Sequence, residues 1–339
     1  MKNMGKVFYI SDINKNAVGL SLEEALAKKM TNWMGWQCAA GHDNIHVTSD
    51  GDVYAATCKV GGLLANIFDS YGGLSGRWIQ CTKAVCACGS DMQLKKSRNP
   101  DNVPLMENLK TSEITFVENV NESAREFVGP VFDDGRPTCT WDLGRRCNYS
   151  CDYCNDSISN NYEAHKSFGS LEHAYNKINR IFCKGRPSKF VFTGGEPTIN
   201  PHYLKLVQKI HADGHLVHTQ TNGSLTPEYY SELIKYSFIG ISVHLKFYNK
   251  ARLFKNLHAI VDTKNSGDSY KFHWVGIRIM APPGRGEEAV QLYDELKSTF
   301  KFGGEDNTNI HLCHTYEKND AEKLQAYSPE EFELIQRYT

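Results

Sequence analysis

From Thr138 onward the hydrophobic positions follow two alternating rhythms. Short runs of β-branched and aromatic residues at Cys139–Leu143, Lys189–Thr193, Leu216–Thr221, Phe238–His244, Trp274–Met280 and Ile310–Cys313 predict strands. Between them, apolar residues recur three and four apart, predicting helices at Leu171–Cys183, His202–Ala212, Pro227–Tyr236, Lys250–Val261 and Glu287–Thr299. Alternation of this kind implies a parallel sheet, because each strand must be reached through a crossover helix. Right-handed crossovers are expected to curl six such strands into a partial (β/α)6 TIM-like barrel over residues 138–316, two strands short of a full one. Residues 317–339 are predicted to form a C-terminal helical extension.

Before Thr138 the pattern is different. Residues 1–91 are rich in Gly and Cys, with short apolar runs between turn signals. Asn44–Thr48 and Val53–Ala55 flank a turn containing Asp50-Gly51, which predicts a β-hairpin. Leu20–Met34 has a helical pattern, and Ser21 with Glu24 fits a capping box. Residues 92–137 carry many charged, Asn and Pro residues and read as a linker with one strand at Ile114–Val117. The expected organisation is therefore α/β, with a small Cys-rich, hairpin-containing domain preceding the barrel.

Hydrophobic residues make up 40% of the 339 and charged residues 23%, which places the chain among globular proteins. The net charge of -1 gives no general attraction to nucleic acid or anionic membranes. No stretch approaches the roughly 20 apolar residues of a membrane span. The first ten residues also lack the apolar core of a signal peptide. The expected location is the cytoplasm, with no membrane partner. Thiols stay reduced there, so the eleven cysteines call for an explanation other than disulfides. Cys139, Cys183 and Cys313 lie in apolar patterns and read as structural.

Cys147, Cys151 and Cys154 have the spacing C-x3-C-x2-C and follow the first predicted barrel strand. That places them at the C-terminal mouth, where β/α barrels do chemistry. Three thiolates on one loop can hold three irons of a cubane and leave the fourth iron open to an exogenous ligand. Structural zinc asks for four closed ligands, commonly as two pairs, which this triplet does not supply. Thr193-Gly194-Gly195-Glu196-Pro197 follows the second strand, and two glycines there allow close backbone approach to a ligand. A simple iron–sulfur carrier or a zinc-binding interaction module needs neither the open iron nor this second motif.

Together, CxxxCxxC and GGEP resemble the radical SAM superfamily over roughly Thr138 to His314. The resemblance implies a 4Fe-4S cluster on Cys147, Cys151 and Cys154, whose open iron binds S-adenosylmethionine and cleaves it reductively to a 5′-deoxyadenosyl radical. It implies that Tyr153 lies near the adenine and that Gly194, Gly195 and Glu196 bind the SAM amino group through backbone carbonyls. Asn222 and Ser242 are candidates for the ribose or carboxylate, against readings as a turn Asn-Gly and an interior hydroxyl. Arg278 is a candidate for the SAM carboxylate, on the reasoning that a buried guanidinium needs an anion, against a surface-facing position on its strand. A low-potential donor such as flavodoxin or ferredoxin is the implied electron source.

Cys38, Cys58, Cys81, Cys86 and Cys88, with a hairpin between the first two, resemble a SPASM or twitch domain, which holds an auxiliary iron–sulfur cluster. That module ordinarily follows the barrel, whereas here it precedes it. Five thiols suffice for one four-ligand centre, expected on Cys38, Cys58, Cys81 and either Cys86 or Cys88; a zinc knuckle is the alternative. This likeness favours a peptide or protein substrate. The basic run Lys246, Lys250, Arg252 and Lys255 leaves a nucleotide or nucleic-acid base as the alternative. His244 and Lys246, ending the fourth strand, are candidate substrate contacts.

Overall fold

The structure, a computed structural model, describes residues 8–68, 76–86, 88–130, 134–156, 159–266, 273–300, 309–318 and 320–338. The chain divides into two compact units, one of residues 1–140 and 174–188 and the other of residues 141–173 and 189–339.

The predicted strands form: Thr138–Asp142, which runs from the first unit into the second, and then, side by side in chain order within the second unit, Lys189–Thr193, Leu216–Thr221, Phe238–His244, Val275–Ala281 and Ile310–His314. The last five are paired in parallel, with Phe192 opposite Thr219, Ile241 opposite Ile277 and Ile279 opposite Leu312. The helices Tyr203–Ala212, Pro227–Leu233, Lys250–Ser266 and Gly286–Thr299 alternate with the strands. Phe190, Phe192, Val217, Ile239, Ile241, Val243, Val275, Ile277, Ile279 and Leu312 are buried on one face. The intervening positions, among them His218, Gln220, Ser242, His244, Arg278 and Met280, are partly or fully exposed. A parallel sheet usually buries both faces. Here one face stays open, with its polar side chains available to a ligand.

The C-terminal extension is not helical throughout. Tyr316–Glu317 and Asp320–Leu324 pair as a short antiparallel ribbon, and the helix begins only at Pro329, capped by Ser328. The Tyr327 hydroxyl accepts from Thr315 N–H and donates to Ala281 O, both at 2.7 Å, which straps the segment to the sheet.

The first unit holds a seven-stranded sheet in the order Ile79–Gln80, Gln37–Cys38, Lys96–Ser97, Phe127–Pro130, Phe8–Ser11, Asn16–Leu20, Thr115–Phe116. The predicted hairpin is present as Asn44–Val47 and Asp52–Tyr54, extended by Leu63–Asn66. The predicted helix is confined to Leu22–Ala27, and its Ser21–Glu24 capping box forms. The reading of residues 92–137 as a linker is overturned. Phe127–Pro130 sits inside the sheet, antiparallel to Lys96–Ser97 on one side and Phe8–Ser11 on the other. Both faces of this sheet are covered. Phe8, Ile10, Leu20 and Val128 pack with Trp33, Met92, Cys81 and Cys86. Tyr9 and Phe127 pack with Met106 and Leu109 from the supposed linker. Five apolar residues, Met92, Met106, Leu109, Phe127 and Val128, thus recruit a segment whose average composition is polar.

If residues 92–137 are core rather than linker, Phe127→Ala should destabilise the protein by about 3–5 kcal/mol, as large-to-small changes in cores do. Val117→Ala, 38% exposed in the same segment, should cost under about 0.5 kcal/mol. Chemical denaturation of the full chain measures both, and equal small effects would restore the linker reading.

Candidate functional site

The three-cysteine loop grows out of the strand Thr138–Asp142, and its base is zipped to the Gly-Gly-Glu segment. Leu143 N–H donates to Thr193 O at 3.0 Å, Gly195 N–H to Gly144 O at 2.8 Å, and Glu196 N–H to Arg146 O at 2.8 Å. Glycine is required in this zipper. At Gly194, with φ of +113°, a Cβ would lie 2.6 Å from Gly144 O; at Gly195 it would lie within 2.5 Å of Arg145 O. The motif therefore lies backbone against backbone on the three residues that lead into Cys147.

The Glu196 side chain does not point to a ligand. It is buried, and its two oxygens accept from Thr198 N–H at 3.1 Å, Thr198 Oγ1 at 2.5 Å, Thr221 Oγ1 at 2.7 Å and Asn222 N–H at 2.5 Å. Burial raises the pKa of this carboxyl, and the same hydrogen bonds counter that rise. Three of these donors converge on Oε1 and one on Oε2, so the side chain braces its own turn and the end of the next strand. Thr221 Oγ1 also contacts the buried Tyr230 hydroxyl at 2.9 Å, extending the network into the core.

Asn222, held through its backbone by Glu196, donates from Nδ2 to Asn148 Oδ1 at 2.8 Å. Asn148 in turn donates to Ser224 Oγ at 2.9 Å. One side of the cysteine loop is thereby tied to the end of the third parallel strand. The other side is tied to the fourth. Tyr153 Oη lies 2.7 Å from His244 Nδ1 with the rings stacked at 5.8 Å, Cys151 Sγ lies 3.4 Å from the same nitrogen, and Lys246 Nζ meets Asp152 at 2.5 Å. Burial pushes the His244 ring down to about 4, so near neutral pH the imidazole is uncharged and can accept the Tyr153 proton. Asn222, His244 and Lys246, expected at a ligand, thus serve to hold the loop. Asn148, which links it to Asn222, carried no signal in the sequence.

Burial raises all three loop thiols, Cys151 to about 12, and each is within electrostatic reach of another. Cys147 Sγ accepts from Tyr149 N–H at 3.4 Å, and Cys154 Sγ approaches Asn155 O at 3.9 Å. Among the described residues no three Cys, His or carboxylate side chains stand as a finished metal-ligand set. The donor chemistry nevertheless fits a cluster. Three soft sulfurs share one loop, and a metal cation supplies the positive charge that turns thiols into thiolates.

Ser242 and Arg278 are direct neighbours across the parallel ladder on the open face. Arg278 is exposed, which corrects its reading as a buried guanidinium: Val275, Ile277, Ile279 and Ala281 take the buried side by simple alternation. Lower on the same face, the His218 and Trp274 rings meet at 4.7 Å and the Gln220 amide lies 3.0 Å from His218. A pocket of about 220 Å³ adjoins the loop, lined in part by Asn148, Tyr149, Asn222, Ser224, Tyr248 and Arg252. The basic run beside it is not a free cationic face. Lys246 pairs with Asp152, Lys250 with Glu295, and Arg252 donates to Ser224 O.

In the first unit, Cys38, Cys81 and Cys86 are buried and Cys58 is partly so. Cys38 faces Lys96 across an antiparallel pair, and Cys58 N–H donates to Asp91 Oδ2 at 2.7 Å. Burial pushes Cys58 and Cys86 to about 12, and the charges acting on Cys86 include those of Lys96, Asp91, Cys58 and Cys38. Cys88 turns elsewhere, with Sγ 3.1 Å from Ser90 Oγ. Cys139 and Cys183 are buried as expected, whereas Cys313 is half-buried, beside Met280 on the open face.

Glu196→Ala would remove the acceptor of the Thr198 hydroxyl and of the Thr198 and Asn222 N–H groups, at about 1–3 kcal/mol for each buried group left unsatisfied. A loss of at least about 3 kcal/mol is expected in urea unfolding. Glu196→Gln, which keeps one carbonyl oxygen, should lose less. A near-neutral alanine variant would remove Glu196 from its structural role.

Residues 141–273 match the Radical SAM superfamily. Over 119 residues the chain is 30% identical to 7-carboxy-7-deazaguanine synthase of Haemophilus influenzae, covering 35% of this chain and 51% of that protein. The chain thus spans about half the length of this curated relative. Among solved structures, SuiB of Streptococcus suis overlaps 60% of this chain and 45% of its own at 16% identity and a TM-score of 0.40. TYW1 with a lysine-pyruvate adduct bound overlaps 57% of this chain and 69% of its own at 17% identity and a TM-score of 0.34. The zipped cysteine loop and glycine segment both lie in the stretch that matches the Radical SAM superfamily, so over these residues the chain is similar to enzymes of that superfamily.

Proposed function

We propose that this protein cleaves S-adenosylmethionine at a 4Fe-4S cluster held by Cys147, Cys151 and Cys154, and uses the resulting radical to abstract hydrogen from a substrate bound on the open face of the parallel sheet. When bound, the cluster supplies a low-potential electron and an iron able to chelate the methionine end of SAM. The observation that carries this reading is the zipper between Gly144–Arg146 and Gly195–Glu196, which joins the two motifs into one rigid mouth. In it, Tyr153 and the pocket beside Asn148 receive the adenosine part. Ser242 and Arg278 face the carboxylate or ribose from within a partial barrel. A flavodoxin or ferredoxin is the proposed electron donor, and the cytoplasm the proposed location. No helix among the described residues is long and apolar enough to cross a membrane.

The substrate proposed is a purine-like base or nucleotide. The specific support is the matched relative, whose name states that it makes a carboxylated deazaguanine. The open face offers flat and hydrogen-bonding groups suited to a heterocycle: the Trp274 and His218 rings and the Gln220 amide. A peptide or protein substrate is the second reading, favoured by the likeness of the N-terminal cysteines to an auxiliary-cluster module. We assign that second centre to Cys38, Cys58, Cys81 and Cys86, leaving Cys88 outside it.

Anaerobically reconstituted and chemically reduced full-length protein is expected to convert SAM to 5′-deoxyadenosine and methionine. The Cys147→Ala, Cys151→Ala, Cys154→Ala variant should fall to the no-enzyme rate; persistent cleavage there would sink the assignment. A panel of purine and deazapurine bases should raise deoxyadenosine formation roughly tenfold, on the scale of one well-made recognition contact of about 1.4 kcal/mol. Stimulation by peptides alone would select the second reading.

A further inference from the structure

Lys96 is almost fully buried, at 1% exposure, in the core of the first unit. Its three ammonium protons are all used, donating to Asp91 O at 2.7 Å, Leu94 O at 2.9 Å and Met92 O at 3.2 Å. These acceptors are neutral carbonyls. They satisfy the hydrogen bonds, and the buried Asp91 carboxylate, which acts together with Lys96 on Cys38 and Cys86, lies beyond ion-pair distance. Lys96 forms no ion pair among the described residues, although burying a lone ammonium is strongly unfavourable unless an anion lies near. The carboxylate of Asp91 is committed elsewhere, accepting from Thr57 N–H at 3.2 Å and Cys58 N–H at 2.7 Å.

Two thiols, those of Cys38 and Cys86, lie within electrostatic reach of this cation. Cys38 is its direct partner across the ladder, and the strand Ile79–Gln80, which leads into Cys81, pairs with the other edge of Gln37–Cys38. Cys81 and Cys86 belong to the same packed cluster as Met92 and Trp33, and the Lys96 ammonium stands over the Trp33 ring at 5.8 Å. Cys58 is joined to the group through Asp91. As thiols these four groups are neutral and give Lys96 nothing. As thiolates around iron they form an anionic centre.

We propose that Lys96 is the fixed counter-charge of a metal–thiolate centre on Cys38, Cys58, Cys81 and Cys86, raising its reduction potential, and that Asp91 on the Cys58 side acts in the opposite sense. The inference rests on the reading of these cysteines as an iron–sulfur site. One-electron reduction adds a negative charge to such a centre. A buried cation favours that state and a buried anion opposes it, both acting through a poorly screening interior.

The test uses the full chain carrying Cys147→Ala, Cys151→Ala and Cys154→Ala, so that only the N-terminal centre remains. It is reconstituted with iron and sulfide and titrated electrochemically while its paramagnetic signal is followed. Lys96→Met should cut the reduced-to-oxidised ratio at a fixed potential by tenfold or more, a downward shift of about 59 mV for one electron. Lys96→Arg should stay within about threefold of the parent. Asp91→Asn should move the ratio upward. Opposite signs for the two neutralised positions are expected from charge and not from general loosening of the site, which would move both the same way. If Lys96→Met fails to fold, the sign of the Asp91→Asn shift still decides. Shifts of the same sign, no shift in Lys96→Met, or a downward shift in Asp91→Asn would overturn the role of these charges while leaving the cluster reading intact. A parent that binds no iron, or only zinc, would overturn the cluster reading itself.

Discussion

A buried carboxyl group, with no ion-pair partner among the described residues, organises the mouth of the parallel sheet. Glu196 is stabilised by two hydroxyls and two backbone N–H groups, drawn from its own turn and from the end of the next strand. Each donor is thereby fixed as well. Thr221 and Asn222 cannot move without leaving a buried carboxyl short of its hydrogen-bond donors, and Asn222 passes that rigidity to Asn148 in the cysteine loop. The two glycines before Glu196 complete the constraint, because their missing side chains let the loop's root lie directly on the strand end. For the cluster proposed on Cys147, Cys151 and Cys154, such a base would hold the three sulfurs in place.

The second unit was legible in the sequence because each of its strands carries its own signal. Runs such as Phe238-Ile-Gly-Ile-Ser-Val-His244 are long enough to show both β-propensity and alternation, and the helices between them carry the helical period. The same alternation in Val275-Gly-Ile-Arg-Ile-Met-Ala281 already assigns Arg278 to the face opposite Val275, Ile277 and Ile279. Treating the segment as one apolar run concealed this. In the first unit several strands are only two residues long, as at Gln37–Cys38 and Lys96–Ser97, and no periodicity can show in two residues. Their place is fixed by tertiary packing alone.

The site was legible in its chemistry and not in its wiring. The spacing of Cys147, Cys151 and Cys154 and the Gly-Gly-Glu turn pointed to two segments that the structure brings together backbone to backbone. His244, Lys246 and Asn222 were rightly placed at strand ends, yet their partners are the loop itself. A side chain's address on a barrel follows from its strand, whereas its hydrogen-bond partner depends on where a distant loop folds back. Lys96 shows the same limit, since a lysine in a polar, Asn-rich stretch reads as solvated until the fold surrounds it.

The interleaving of the seven-stranded sheet also dictates an order of assembly on the ribosome. Its cysteine-bearing half, made of Ile79–Gln80, Gln37–Cys38 and Lys96–Ser97, is complete once the chain has grown to Ser97. The other half begins with the hairpin Phe8–Leu20, synthesised first, whose open edge is closed only by Phe127–Pro130. At about 5–20 residues per second that edge waits several seconds for its partner, unpaired and able to join another chain. The chain that emerges first is therefore among the last to be secured, and the thiols are gathered while the sheet that will shield them is still half built.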